Sequence, residues 1–203
     1  MIAIVDYGVG NLFSLQSSFK MINVEAINTS DADIIRSAEK IILPGVGAFE
    51  DAAKKLSDSG LDKIIIDESQ KGKPIMGICL GMQLLFDKSY EYGEHNGLGL
   101  IKGNVVSMAG VISENLKVPH IGWNALHFCG KKSKLFKYIN ENDCVYFVHS
   151  YYATDCEESV TATTEYGKEL TASVEMDNVY GCQFHPEKSG NVGLSILKAF
   201  SEL

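Results

Sequence analysis

The chain of 203 residues reads as an α/β protein: an open, mostly parallel sheet with helices on both faces and a more antiparallel C-terminal portion. Three observations predict this. Short, continuously apolar runs alternate with helix-length segments through the first half, as strands covered on both faces require. Glycine turns punctuate the ends of those runs. From about residue 97 to 176 the character changes to β-like runs in succession, with few helical patterns between them.

Taken in order, residues 2–5 form a first apolar run that ends in a glycine turn. Asn11 offers an N-cap to a helix reaching about Met21. Residues 24–27 read as a second strand and residues 40–43 as a third, stopped by Pro44-Gly45. Helices are expected over residues 49–57 and 61–70. The apolar run that begins at Pro74 ends in Gly77-Ile78-Cys79-Leu80-Gly81, and a helix-like stretch follows at residues 82–86. The later β-like runs include residues 105–108, 145–148 and 171–175, with an extended segment over residues 174–184. Val192, Ile196 and Phe200 recur at helical spacing, so the last segment predicts an amphipathic helix closing over the sheet. No repeat, low-complexity tract or proline-rich linker divides the chain, and residues 1–203 read as a single domain.

Composition narrows the function classes. Apolar residues at 45% and charged residues at 22% are globular values and argue against disorder. A formal charge of −8 argues against a general nucleic-acid binder, which needs a basic face for phosphates. With no apolar run of about 18 residues and no basic leader, neither a membrane span nor secretion is expected. The five cysteines are scattered without a C-x-x-C pair, which fits reduced thiols and a cytoplasmic location. His95, His120, His127, His149 and His185 show no metal-binding spacing, and no metal or other cofactor is expected. Gly8 and Gly10 suggest a nucleotide turn, but Phe13 stands where the third glycine of that fingerprint belongs.

The chemistry concentrates at two places. A cysteine flanked at two residues on either side by glycine, between strand and helix, has the pattern of a nucleophile elbow. Such a turn pushes the side chain out beside a helix N-terminus, where free N–H groups favour a thiolate. The same five residues also fit a buried structural cysteine. About a hundred residues later, Gly181-Cys182-Gln183-Phe184-His185-Pro186-Glu187 ends the last β-like run. A nucleophile needs a base, and the base needs a group that fixes its tautomer. Cys79, His185 and Glu187 supply that set, and on an extended segment the last two project to one side.

GICLGMQ at residues 77–83 and FHPE at residues 184–187 resemble the class I glutamine amidotransferases, whose glutaminase domains carry a Cys-His-Glu triad. Asp6 to Asn11, Leu43 to Phe49 and Pro119 to Asn124 narrow the resemblance to the glutaminase subunits of imidazole glycerol phosphate synthases, enzymes of histidine biosynthesis. Val9 and Ile121 stand where methionine is common in that family, both apolar replacements. The resemblance runs from residue 2 to the C-terminus. It implies a class I amidotransferase fold and hydrolysis of L-glutamine, with Cys79, His185 and Glu187 as the triad. It makes Gly45, Val46 and Gly47, with the N–H of Leu80, the oxyanion hole. Gln83, Ser150, Tyr151 and Glu91 become glutamine-binding residues. Gly10, Asn11, His120, Trp123 and Asn124 would face a (β/α)8-barrel cyclase subunit that receives the ammonia in a heterodimer. Other readings of the same residues are a glutaminase for a pyridoxal phosphate or flagellar-sugar synthase, a cysteine peptidase on a related elbow, and a non-catalytic subunit. The intact triad opposes the last, and the P-G-V-G turn with Gln83 favours glutamine over peptides.

Overall fold

Apolar strands of four to six residues start the fold. The computed structural model describes residues 1–130 and 132–203. Strands β1 (Ile2–Val5), β2 (Ala26–Thr29), β3 (Lys40–Gly45) and β4 (Ile75–Cys79) pair in parallel in the order β2-β1-β3-β4. The helices between them are α1 (Leu12–Met21), α2 (Ala32–Ser37), α3 (Phe49–Asp58) and α4 (Leu61–Gln70). After β4 comes the short α5 (Leu80–Leu84). There follow β5 (Phe86–Ser89), β6 (His95–Asn96), β7 (Ile101–Ser107), β8 (His120–Ala125), β9 (His127–Phe128), β10 (Cys144–His149) and β11 (Tyr151–Thr154). The chain ends with β12 (Val160–Glu165), β13 (Glu169–Met176), β14 (Val179–Cys182) and α6 (Gly190–Ser201).

Strand β14 inserts parallel to β4, and β13, β12 and β9 extend the sheet antiparallel beyond it. Among the described residues this gives one eight-stranded sheet, ordered β2-β1-β3-β4-β14-β13-β12-β9. Beside it lie an antiparallel pair β10-β8 and a four-stranded sheet β11-β7-β5-β6. The expected division into a parallel first half and an antiparallel later portion is what the chain forms.

The burial pattern explains why the early strands carry no polar alternation. Ala3 and Val5 pack with Ile35, Phe49, Leu56 and Ile65 on one face of the sheet. Ile2 and Ile4 pack with Leu15, Phe19, Ile196 and Phe200 on the other. Burying each large apolar side chain is worth about 1.5–3 kcal/mol, so both layers of helix are held to the sheet by the strands' two faces. Among the described residues no helix is long and apolar enough to cross a bilayer.

Several boundaries differ from the sequence expectation, each for a local reason. The second strand begins two residues late, because residues 23 and 24 turn back to the end of α1 through their N–H groups. Pro44 does not stop β3. It stays in register opposite Ile78, with Gly45 opposite Cys79, since extended backbone suits its fixed φ. The helix after the elbow ends at Leu84, and Phe86 already belongs to a strand. The extended run over residues 174–184 is a hairpin: Asp177 turns at φ +53° and β13 pairs back on β14. Asn11 sits at the N-cap of α1, but its side chain makes no capping hydrogen bond.

Candidate active site

The carboxyl ends of parallel strands are where an α/β sheet presents its loops to a ligand. Here β3, β4 and β14 end together, with Gly45 opposite Cys79 and Cys182 opposite Ile78. Residues 45–47, 79–80 and 183–187 are therefore delivered to one edge by strand register alone.

Cys79 takes the strained conformation of a nucleophile elbow, φ +55° and ψ −113°. A non-glycine residue held there costs about 1–3 kcal/mol, which the surrounding packing must over-determine. Its glycines explain how. A β-carbon on Gly77 would come within 2.5 Å of the Gly81 carbonyl, and one on Gly81 would collide with the Leu43 carbonyl. One on Gly45 would meet the Gly81 nitrogen at 2.6 Å. Strand, turn and short helix are thus pressed together at a spacing that only glycine permits.

Cys79 lies beside the His185 ring, and His185 Nδ1 is 2.8 Å from Glu187 Oε1. All three side chains are buried. Burial by itself would lower the His185 pKa. Hydrogen bonding to Cys79 and Glu187, together with their negative charge, outweighs it and raises the pKa to about 10. The imidazolium is thereby the favoured state at neutral pH. Glu187 stands on a 3₁₀ turn over residues 186–188 rather than on an extended segment. The tight turn, started by Pro186, carries the carboxylate back to the ring. Its second oxygen, Oε2, is buried without a hydrogen-bond partner, so among the described residues His185 is its one hydrogen-bonding counter-charge.

A cavity of about 280 Å³ opens at this point, lined by Val46, Gly47, Cys79, Leu80, Gln83, Glu91, Pro119, His149, Ser150, Tyr151 and His185 among others. That is near the lower end of small-molecule sites and suits one amino acid better than a peptide strand. The turn at residues 45–48 is tethered at both ends. Tyr7 donates its hydroxyl to the Pro44 carbonyl at 2.7 Å, and Phe49 N–H, at the start of α3, donates to Glu91 Oε2 at 2.7 Å. Gly47, at φ +92°, supplies the left-handed step between those tethers.

Residues 3–202 match the family model for "Glutamine amidotransferase class-I". The chain is 50% identical over its whole length to the imidazole glycerol phosphate synthase subunit HisH of Caldanaerobacter subterraneus subsp. tengcongensis, covering 98% of that protein. It is 48% identical to the HisH subunit of Oceanobacillus iheyensis, over 100% of this chain and 99% of that one. The chain belongs to the HisH family of class I glutamine amidotransferases. A crystal structure of a glutamine amidotransferase has the same fold, with a TM-score of 0.76 over 98% of this chain and 99% of that chain at 18% identity.

Of the site residues that the resemblance implies, the cavity lining brings together 46–47, 79–80, 83, 91, 150–151 and 185, while Gly45 and Glu187 are not among its lining residues. Gln83, however, does not hold a free amide nitrogen toward the cavity. Its Nε2 donates to the Tyr151 carbonyl at 3.2 Å and to Gln183 Oε1 at 3.0 Å. Gln183 in turn points its own Nε2 at Cys79 Sγ, 3.8 Å away. The segments that the resemblance assigns to a partner separate into two kinds. Trp123 and Ile121 are exposed on β8, at 56% and 58% of full accessibility, and could anchor another protein. His120 is fully buried, stacked against Tyr166 and Phe147, so it is an interior residue and not a surface contact. Gly10 packs with its α-carbon against Pro44, where a β-carbon would lie 2.9 Å from Pro44 Cβ. Tyr7 and Gln183 carry no assigned role in the sequence reading. Period-two spacing could have found Gln183, since it lies two residues before His185 on the same strand exit.

Proposed function

We propose that this chain releases ammonia from L-glutamine at Cys79 and passes it to a (β/α)8-barrel cyclase subunit. The complex would form imidazole glycerol phosphate and aminoimidazole carboxamide ribotide. The observation that carries the proposal is the Cys79–His185–Glu187 arrangement at the mouth of a cavity sized for one amino acid.

The residues divide the work by their chemistry. Cys79 Sγ attacks the side-chain carboxamide carbon, and the carbonyl electrons move onto oxygen. The N–H of Leu80 and the backbone of residues 46–47 border the space where that oxyanion forms. Donors aimed at such an oxygen are worth about 3–4 kcal/mol each. His185 gives its proton to the departing nitrogen, the C–N bond breaks, and ammonia leaves a γ-glutamyl thioester. The neutral ring then takes a proton from water as its oxygen attacks the thioester. Breakage of the C–S bond yields glutamate and restores Cys79. Glu187 holds the ring through Nδ1, which leaves Nε2 for proton transfer. Delivery inside a complex suits the product, because free ammonia at neutral pH is mostly protonated and loses its nucleophilicity. The buried reaction and the family membership support a cytoplasmic synthase subunit.

The test combines the purified chain with the cyclase and its ribotide substrate. With Cys79→Ala, turnover driven by added ammonia should persist and turnover driven by glutamine should vanish. Equal loss of both would show that the cysteine serves assembly, and the proposed role would fall.

A further inference from the structure

A hydrogen-bond chain crosses the interior from β8 to the nucleophile. Asn124 Nδ2 donates to the Glu165 carbonyl at 2.9 Å. Its Oδ1 lies 2.9 Å from His120 Nε2. His120 Nδ1 lies 3.1 Å from His149 Nε2, and His149 Nδ1 lies 2.8 Å from the Tyr151 carbonyl. That carbonyl also accepts from Gln83, which donates to Gln183, whose amide points at Cys79 Sγ. Both rings are buried, and a broken link there leaves a polar group without water.

Neutral rings cannot fill every contact in this chain. Two neutral imidazoles carry two N–H groups, while three contacts involving them each need one. If His149 donates from Nδ1 to Tyr151, its Nε2 must accept from His120 Nδ1. His120 Nε2 is then bare and faces the bare Asn124 Oδ1. If instead His120 donates from Nε2 to Asn124, its Nδ1 is bare and must accept from His149 Nε2. His149 Nδ1 is then bare and faces the Tyr151 carbonyl. Turning over the Asn124 amide only moves the mismatch to the Glu165 carbonyl. If both rings instead donate outward, His120 Nδ1 and His149 Nε2 face each other bare at 3.1 Å. One contact of the three is therefore always open while the pair is neutral, and a third proton closes all of them.

We propose that His120 and His149 are positioning residues forming a tautomer relay, which couples Asn124 on β8 to the Tyr151 carbonyl and, through Gln83 and Gln183, to the Cys79 sulfur. The proposal rests on the glutaminase reading of Cys79. Its consequence is that, as long as the central His120–His149 contact is kept, the acceptor at position 124 competes with the active site for one proton. The groups facing the pair set where it charges. His185 and Glu91 share the cavity with His149, and the Tyr166 ring covers His120 with its hydroxyl directed to the Lys117 carbonyl. Burial lowers both pKa values, while the Asn124 contact works in the other direction for His120. The pair is thus neutral, and the competition live, at ordinary pH; acid closes both ends.

Imidazole ¹⁵N spectra of the chain alone read the ring protons directly. Asn124→Ala removes the competing acceptor and should leave His149 protonated at Nδ1 throughout. Asn124→Asp strengthens it and should shift His149 toward the Nε2–H tautomer and raise the pH at which the pair charges. His120→Gln, which has no second tautomer, should make His149 indifferent to either change. In the assembled synthase, Asn124→Asp should raise the KM for glutamine about 3- to 10-fold near pH 8, the worth of one hydrogen bond, with kcat little changed. Lowering the pH should restore it. An identical His149 tautomer in wild type and both Asn124 variants, or a loss of kcat that is the same at every pH, would overturn the relay. Absence of glutamine hydrolysis in the assembled wild-type synthase would sink the glutaminase reading while leaving the tautomer spectra unmoved, so the two failures are separable.

Discussion

Cys79 and Cys182 stand on adjacent parallel strands, both buried and separated by a single step of register, since Cys182 lies opposite Ile78. Cys182 is still inside the sheet. Its side chain is wholly enclosed and its sulfur reaches no better partner than the Gly77 carbonyl at 3.9 Å. Burial first, then the negative charges of Glu187 and Cys79, push its pKa well above the ordinary thiol range. Cys79 lies one residue further out, where the chain has turned to positive φ and a cavity opens beside His185. The same side chain is thus inert within the ladder and, in the proposed mechanism, the nucleophile at its edge. Burial alone does not decide between them; the strained turn and the neighbouring imidazolium do.

The largest expected effect breaks that contrast outright. Cys79→Ala should lower glutamine hydrolysis by at least about 10³-fold, as loss of a covalent nucleophile does, while Cys182→Ala stays within a few-fold of wild type. Comparable losses at both positions would erase the distinction. Gly81→Ala comes next. It forces a β-carbon into the Leu43 carbonyl, and we expect too little folded protein to assay or a comparable collapse of activity. Normal activity and melting behaviour would show that the elbow has room to relax. Glu187→Gln should cost about 10²–10⁴-fold in kcat/KM, by analogy with other base-orienting carboxylates. The pH dependence carries the sign. Because His185 is raised to about 10, its contribution to stability is complete below its ordinary value near 6.5 and is lost as pH rises through about 10. In wild type, kcat/KM should fall over that upper window as the proton donor is lost. In Glu187→Gln the fall should begin at lower pH; an unmoved limb would remove Glu187 from the pair. The smallest effect is on stability, where Cys182→Ala should cost about 1–2 kcal/mol for a small cavity, measured by urea unfolding.

The elbow was legible because its signal is local. Gly77, Cys79 and Gly81 fix a turn within five residues, and strand register does the rest. His185 and Glu187 were legible as a pair, though for an incorrect geometric reason: the 3₁₀ turn at Pro186 joins them, not a shared strand face. What stayed hidden depends on contacts far apart in sequence. The hairpin at Asp177 reads as one long strand because the apolar runs around Val174 and Val179–Tyr180 flank only a two-residue polar break, Asp177-Asn178. His120 stands in a segment whose exposed neighbours suggest a surface, and the side-by-side packing of β8 and β10 turns it inward. Gln83 spends its donors on the Tyr151 carbonyl and on Gln183, 68 and 100 residues away, which no helical spacing could reveal.

The tethers on the 45–48 turn set what that turn can do. With Tyr7 gripping one side and Glu91 the other, the segment resembles a short bridge between fixed piers. Translation of the bridge would break both anchors at once, whereas rotating one amide plane about its neighbouring glycines would break neither. Reshaping there should therefore leave the α-carbons almost in place and register instead in the carbonyl orientation and the amide chemical shifts of Val46 and Gly47.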